Sequence, residues 1–307
     1  VGILVIGSFM MDLVVQTPRA PENGETIIGT KFARFPGGKG ANQAVAASRL
    51  GGDVTMIGKV GADDFGKEFI TTLIQEHIDT DYVLLDDDHA TGIGVVTIEA
   101  NGNNRIIVVP GANLAYRQEE LLEVEYLIRE ADILVVQLEM NMLLIEQAVS
   151  IANEHHVPVI LNPAPAQMLG EELLSNVTYL TPNETEAEIL TTIKINTRDD
   201  AIAAARVLLA KGVKNVILTL AEEGALLVNE SGTYHVPGYP VTAIDTVAAG
   251  DSFNGALAVG ITSGLPLQEV ILFANAVGAL TVTKEGAIPS LPTREEVEAF
   301  MLRLNKH

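Results

Sequence analysis

The run Ile133-Leu134-Val135-Val136, the stretch Met142 to Glu154 and the run Val157-Pro158-Val159-Ile160-Leu161 decide the fold class. The outer two are short, apolar and rich in β-branched residues, and the middle one is amphipathic at helical spacing. Continuous apolar strands are what a sheet covered on both faces requires, and strands alternating with helices give a largely parallel, doubly wound α/β sheet. The alternation extends outward in both directions. Ile3 to Ile6, Val54 to Ile57, Val177 to Leu180 and Val216 to Leu220 read as further strands, with helices at Phe65 to His77 and Asp199 to Lys211.

Two stretches break it. Residues 13–35 and 92–109 read as strands joined by the turns Pro21-Glu22-Asn23-Gly24 and Asn101-Gly102-Asn103-Asn104, with no helix between. Thr91 to Glu99 and Arg105 to Val109 flank the second turn as a β-hairpin. Such pieces suit a small antiparallel lid over the edge of the main sheet, and an exposed lid offers a dimer surface.

Composition narrows the function. Acidic residues outnumber basic ones 40 to 19, a formal charge of −21 with no basic cluster, which argues against nucleic acid or an anionic membrane as partner. The absence of cysteine removes disulfides, thiolate zinc sites and cysteine nucleophiles. The apolar runs fall far short of the ~20 residues that cross a bilayer, and the opening run Gly2 to Ile6 has no signal-peptide pattern. A soluble, cytoplasmic protein is the expectation. GxxxxGK[ST], GxGxxG after the first strand, HExxH and GxSxG are all missing. His155-His156 lacks partners at metal-ligand spacing and reads as a helix end.

Three segments carry chemistry. Asp245-Thr246-Val247-Ala248-Ala249-Gly250-Asp251 is rich in small residues and runs into apolar Leu257 to Ile261. Ala248, Ala249 and Gly250 allow backbone N–H groups to converge at a helix start, which makes a place for an anion. Asp251 then stands in the first turn beside that anion. It is either a simple cap or a group that handles a proton or a metal, and spacing leaves both open. In Pro36-Gly37-Gly38-Lys39-Gly40-Ala41-Asn42-Gln43, two glycines permit close backbone approach before a helix of small residues. Lys39 and Asn42 suit a polyhydroxylated or anionic ligand, or else the segment is only a tight turn with a solvated lysine. In Thr181-Pro182-Asn183-Glu184-Thr185-Glu186, Asn183 and Glu186 share one helix face. They either open a helix or hold Mg²⁺ through waters.

Together and in this order, the segments resemble the ribokinase family of carbohydrate kinases, from Gly7-Ser8 through Pro289-Ser290. Asp245 to Asp251 and Gly37 to Asn42 match the two family signatures. The resemblance implies a ribokinase-like α/β three-layer sandwich, with a mostly parallel central sheet and a small β-sheet lid, in one carbohydrate-kinase domain over 1–307. It implies transfer of the ATP γ-phosphoryl group to a sugar hydroxyl, in ribokinases O5 of D-ribose. Asp251 becomes the catalytic base, with Ala248, Ala249 and Gly250 as the anion hole. Sugar contacts carry over to Asp12, Gly38, Lys39, Asn42, Glu139 and Asp251, and position 10 sits among them. Nucleotide contacts carry over to Asn183, Thr219, Gly224, Gly250 and Asn275. Asn183 and Glu186 are tied to Mg²⁺ through water, and Asp245, Val247, Thr281, Lys284, Gly286 and Ser290 to K⁺, most through backbone carbonyls. Asp12 and Glu139 are expected at the ends of sheet strands, and Asp245 at the end of a strand. A homodimer pairing through the lid completes the expectation.

Two departures stand out. Many bacterial ribokinases carry Asn where this chain has Met10, whose thioether cannot donate to a sugar hydroxyl. Met there suits a sugar that lacks that hydroxyl, so 2-deoxyribose is a rival substrate. A fructose, nucleoside or other sugar kinase is a more distant alternative, and a non-catalytic sugar- or nucleotide-binding regulator more distant still. In Thr219 to Gly224 the family often has Gly-Ser in place of Ala221-Glu222, and Glu222 would repel a phosphate unless it turns outward.

Overall fold

The structure, a computed structural model, describes residues 2–304. The chain begins β1 (Ile3–Ile6), β2 (Met10–Thr17), β3 (Lys31–Gly37), α1 (Lys39–Arg49), β4 (Val54–Gly61), α2 (Asp64–Gln75), β5 (Val83–Asp86), β6 (Gly92–Glu99) and β7 (Asn104–Val109). It continues through α3 (Gln118–Glu123), α4 (Glu125–Glu130), β8 (Ile133–Val136), α5 (Met142–Glu154), β9 (Val159–Leu161), α6 (Glu171–Ser175), β10 (Tyr179–Leu180) and α7 (Glu184–Thr191). It closes with α8 (Arg198–Ala210), β11 (Asn215–Thr219), β12 (Gly224–Asn229), β13 (Gly232–Pro237), α9 (Ala249–Thr262), α10 (Leu267–Thr281) and α11 (Arg294–Leu304).

The main sheet has the order β13-β12-β11-β10-β9-β8-β1-β4-β5. From β11 to β5 every pairing is parallel, and β12 and β13 add an antiparallel edge. Side chains alternate between the faces of a strand, so the apolar strands feed two cores. Leu4, Ile6, Leu134 and Val136 join a core with α5, α7 and α8, whereas Ile3, Val5, Ile133 and Val135 join another with α1, α9 and α10. That gives the three layers. Among the described residues no helix is long and apolar enough to cross a membrane.

Element ends follow from local chemistry. Asn141 caps α5 through its side chain, and His155 closes the helix, so the expected helix Met142 to Glu154 is the observed one. Strand β9 is shorter than the expected run. Val157 N–H bonds back to the Ala152 carbonyl and finishes the helix, and Pro158 has no N–H to give a ladder. Likewise Val177 N–H bonds to Leu174 at the end of α6, leaving only Tyr179 and Leu180 in β10.

The lid has the order β3-β2-β6-β7. It differs from an all-antiparallel expectation, because β2 and β6 pair in parallel while β3 and β7 return beside them. Strand β2 begins at Met10, just past the end of β1, so the chain crosses from main sheet to lid almost without a break. Asn113 braces that crossing: its Oδ1 accepts from Phe9 N–H at 2.8 Å, and its Nδ2 donates to Phe9 and Pro110 carbonyls at 2.7 and 2.8 Å.

Two approaches made by helices are too close for side chains. A Cβ at Gly40 would stand 2.4 Å from Ser8 N, and one at Gly255 would stand 2.7 Å from Ala46 Cβ. The small residues of α1 therefore let it lie directly against β1 and α9, which brings the start of α1 to the start of α9.

Candidate active site

A cleft of about 390 Å³ opens where the carboxyl ends of the parallel strands meet the lid. Its floor is the start of α9. Ala248, in the left-handed region at φ 61°, turns the chain so that the helix begins at Ala249. The first N–H groups of a helix have no intrahelical acceptor, and Ala248, Ala249 and Gly250 all line the cleft. A Cβ on Gly250 would meet nothing within 4 Å, so the space above it is open.

Asp251 follows in the first turn and is buried. Asn42 Nδ2 donates to its Oδ2 at 2.8 Å and Gln43 Nε2 to its Oδ1 at 3.1 Å. Both donors come from α1, across the glycine contacts described above. Asn42 Oδ1 is buried and has no hydrogen-bond partner among the described residues, and Asn42 lines the cleft.

Lys39 starts α1. Burial pulls its ammonium down, but the charges of Asp251, Glu139, Glu186 and Asp12 outweigh that and leave its pKa raised. Asp12 is pushed up to about 6, first by burial and then by Glu139 and Asp251, with Lys39 opposing. Glu139 is fixed from behind: Ser8 Oγ donates to its Oε2, and Lys39 N–H donates to the same oxygen at 3.0 Å. Asp12 is not at the end of a main-sheet strand, as expected, but third in lid strand β2, because β2 starts at Met10. Met10 and Gly38 complete this acidic end, with Gly94, Ile106 and Val108 of the lid above it.

At the other end Asn183 caps α7. Its Oδ1 accepts from Glu186 N–H at 2.8 Å, and Glu186 Oε2 accepts from Asn183 N–H at 2.9 Å. The helix-opening reading of this pair is thus met, yet both residues also line the cleft. Burial raises the Glu186 pKa, against the Asn183 hydrogen bond and Lys39. Thr219, at the end of β11, lines the cleft too.

Other expected residues stand outside the cleft wall. Gly224 begins β12 at φ 94°, and a Cβ there would lie 2.3 Å from Gly238 N. Asn275 Nδ2 is committed to the Val236 and Pro237 carbonyls at 3.1 and 3.0 Å. Asp245 lies in a loop and does not end a strand. The chain here folds back on the end of α10, where Ile244 and Asp245 N–H both donate to Val282. The Asp245 carboxylate accepts from Val247 N–H at 3.1 Å and Gly286 N–H at 2.9 Å, so it ties the turn before α9 to 281–290. Val247 reaches the cleft; Thr281, Lys284, Gly286 and Ser290 do not line it. Lys284 turns away to Glu296, 2.8 Å distant. Glu222 is exposed, in the outward position that leaves the cleft clear of it.

Sequence reasoning assigned no role to Gln43, Asn162, Thr181 or Asn254. Asn162 and Thr181 directly follow β9 and β10, so the rule that ligands bind at carboxyl ends of strands was a signal for both.

The model of the pfkB family carbohydrate kinases matches residues 2–294. The chain belongs to that family. It is 39% identical over 297 residues to the ribokinase of Haemophilus influenzae, covering 97% of each chain. It is 37% identical over 304 residues to the deoxyribokinase of Salmonella typhimurium, covering 97% of this chain and 98% of the other. Arabidopsis thaliana ribokinase complexed with ribose and ATP superposes with a TM-score of 0.94 at 32% identity, covering 97% of this chain and 98% of that one. The chain thus has the ribokinase-like α/β fold, a large mostly parallel sheet with helices and a small separate lid sheet.

Proposed function

We propose that the protein transfers the γ-phosphoryl group of ATP to O5 of D-ribose, giving ribose 5-phosphate. The observation that carries this is Asp251, a buried carboxylate held by side-chain amides beside helix N–H groups that open on the cleft. Asp251 accepts the proton of the attacking hydroxyl. In a loose phosphoryl-transfer transition state that proton leaves late, so the chief task of the carboxylate is to aim the nucleophile in line. N–H groups at Ala248, Ala249 and Gly250 stabilise charge on the transferring group without having to reorganise. Asp12 and Glu139 accept from sugar hydroxyls, Lys39 donates, Gly38 allows close approach, and the unpartnered Asn42 Oδ1 takes a further hydroxyl. ATP extends toward Asn183 and Thr219, with Gly224 and Asn275 behind that wall. Similarity to ribokinases, one of them complexed with ribose and ATP, supports the assignment.

The donor sets fit two cations. Asn183 and Glu186 offer hard oxygens at the phosphate end, suited to Mg²⁺ that keeps most of its waters. Mg²⁺ supplies neutralisation of phosphate charge. Oxygens for K⁺ would come from the Asp245 carboxylate, which joins Val247 to Gly286, from the Ser290 hydroxyl and from backbone carbonyls at Val247, Thr281, Lys284 and Gly286, with the Lys284 ammonium turned away.

A second substrate reading rests on Met10. Its thioether lines the acidic end of the cleft, where 2-deoxyribose would present bare carbon. We further propose a cytoplasmic homodimer through the lid, since Phe32, Ile106, Ile107, Val108 and Val109 are all about half exposed or more. Light scattering of the eluting protein at monomer mass would refute the dimer.

The deciding assay is ADP release with ATP and Mg²⁺, with ribose against 2-deoxyribose, with and without K⁺, for the native chain and Asp251→Asn. Turnover that prefers ribose and falls about 10²–10⁴-fold in the variant is expected. No ADP with either sugar would sink the pentose kinase assignment.

A further inference from the structure

The amide orientations behind Asp251 are dictated by chemistry. A carboxylate only accepts, so Gln43 must face it with its NH₂ group. Gln43 Nε2 also lies 3.2 Å from Asn162 Oδ1, and Asn162 Nδ2 lies 3.4 Å from the Thr181 carbonyl, a second group that only accepts. With both ends fixed, Gln43 Oε1 faces Gln137, whose Nε2 donates to it at 2.8 Å. Gln137 Oε1 is then buried with no partner among the described residues. Such an orphan is costly, and an apolar side chain at 137 would avoid it. What an apolar side chain would not do is hold Gln43 in the orientation that donates to Asp251.

Asn42 and Gln43 grip the two Asp251 oxygens, but they differ in access. Asn42 lines the cleft and is within reach of a sugar, whereas Gln43 is fully buried and does not line it. From this we infer that Gln43 is a positioning residue for phosphoryl transfer. It aims the Asp251 carboxylate at the attacking hydroxyl, and Gln137 holds it in its donating orientation. The inference rests on Asp251 being the base.

The test uses the full chain. Gln43→Met keeps the length of the side chain and removes its donor. Its kcat is expected to fall about 10–100-fold, as misaimed groups do, with the sugar KM within about threefold because uniform binding is untouched. Gln137→Met, which touches neither Asp251 nor the cleft, is expected to give a smaller kcat loss, again with the sugar KM within about threefold. Melting temperature reports folding in each case, and if Gln43→Met does not fold, Gln137→Met decides. A folded variant with native kcat, or a change in KM alone, overturns the inference. Asp251→Asn with undiminished turnover would instead overturn the base assignment on which it stands. An inactive Asp251→Asn beside an unaffected Gln43→Met would remove Gln43 only.

Discussion

Gly255→Ala tests whether the contact of α1 with α9 builds the site. The new Cβ would stand 2.7 Å from Ala46 Cβ, 2.8 Å from the Gln43 carbonyl and 2.9 Å from Ala47 N, where ordinary contact begins at 3.4 Å. The helices must part by about 0.7 Å, because two of the three opposing atoms are backbone. Overpacking costs about 1–3 kcal/mol, and Ala in place of Gly in a helix returns up to about 1 kcal/mol. The net loss of up to about 2 kcal/mol lowers the melting temperature by about 3 °C at most, for a chain of 307 residues. The effect on catalysis is larger. Parting of that size carries the 2.8 and 3.1 Å bonds from Asn42 and Gln43 to Asp251 beyond hydrogen-bond range. Misplacement on this scale costs about 10²-fold in kcat. Gly260→Ala is the control: it lies on the same helix, and its Cβ would meet Val270 of α10 at 2.6 Å, remote from the cleft. It should melt lower and keep its kcat in an ADP-release assay. Gly255→Ala with native kcat, or with a raised melting temperature, would refute the reasoning.

Asp12→Asn should lose sugar binding yet melt higher than the native chain at pH 7. Burial beside Glu139 and Asp251 raises the Asp12 pKa from 3.8 to about 6, so the folded state disfavours the ion. Its contribution to stability therefore falls as pH rises from about 4 to about 6, and the advantage of the variant should vanish below about pH 4; a gap that persists there would refute the assignment. Met10→Asn should shift preference toward ribose over 2-deoxyribose by up to about tenfold in kcat/KM, the worth of one hydrogen bond. An unchanged ratio would remove Met10 from specificity.

Much of the fold was legible because strand and helix signals were local. The apolar run Ile3 to Ile6 and the amphipathic Met142 to Glu154 were bounded by their own neighbours. The start of β2 at Met10 was not, because a strand crossing from one sheet to another has no breaker between them, and Asp12 was assigned to the wrong sheet for the same reason. Nor does sequence reveal that β2 and β6 lie parallel, since their pairing joins segments separated by three strands and two helices. In the site, motif residues near a turn or a helix start could be found singly. The amide chain from Gln137 to Asp251 could not: its links span 94 and 208 residues, and no spacing rule reaches that far.

The cleft divides into two electrostatic halves. Asp12, Glu139 and Asp251 gather about the single ammonium that lines the cleft, that of Lys39, whereas the other end has one carboxylate, Glu186, and the floor is made of N–H groups at the start of α9 that carry no net charge. ATP thus approaches a chain of formal charge −21 and an acidic chamber. Steering by opposite charge, which salt would weaken, is absent from this design. Screening relieves repulsion over distances beyond the ~8–10 Å Debye length, and would leave short contacts to the N–H groups at the start of α9 nearly untouched. Raising ionic strength at fixed K⁺ and Mg²⁺ should therefore leave the nucleotide KM unchanged or lower it. A KM for ATP that climbs steeply with an inert salt would mean that a cationic patch guides the nucleotide, and reliance on uncharged N–H groups would be wrong.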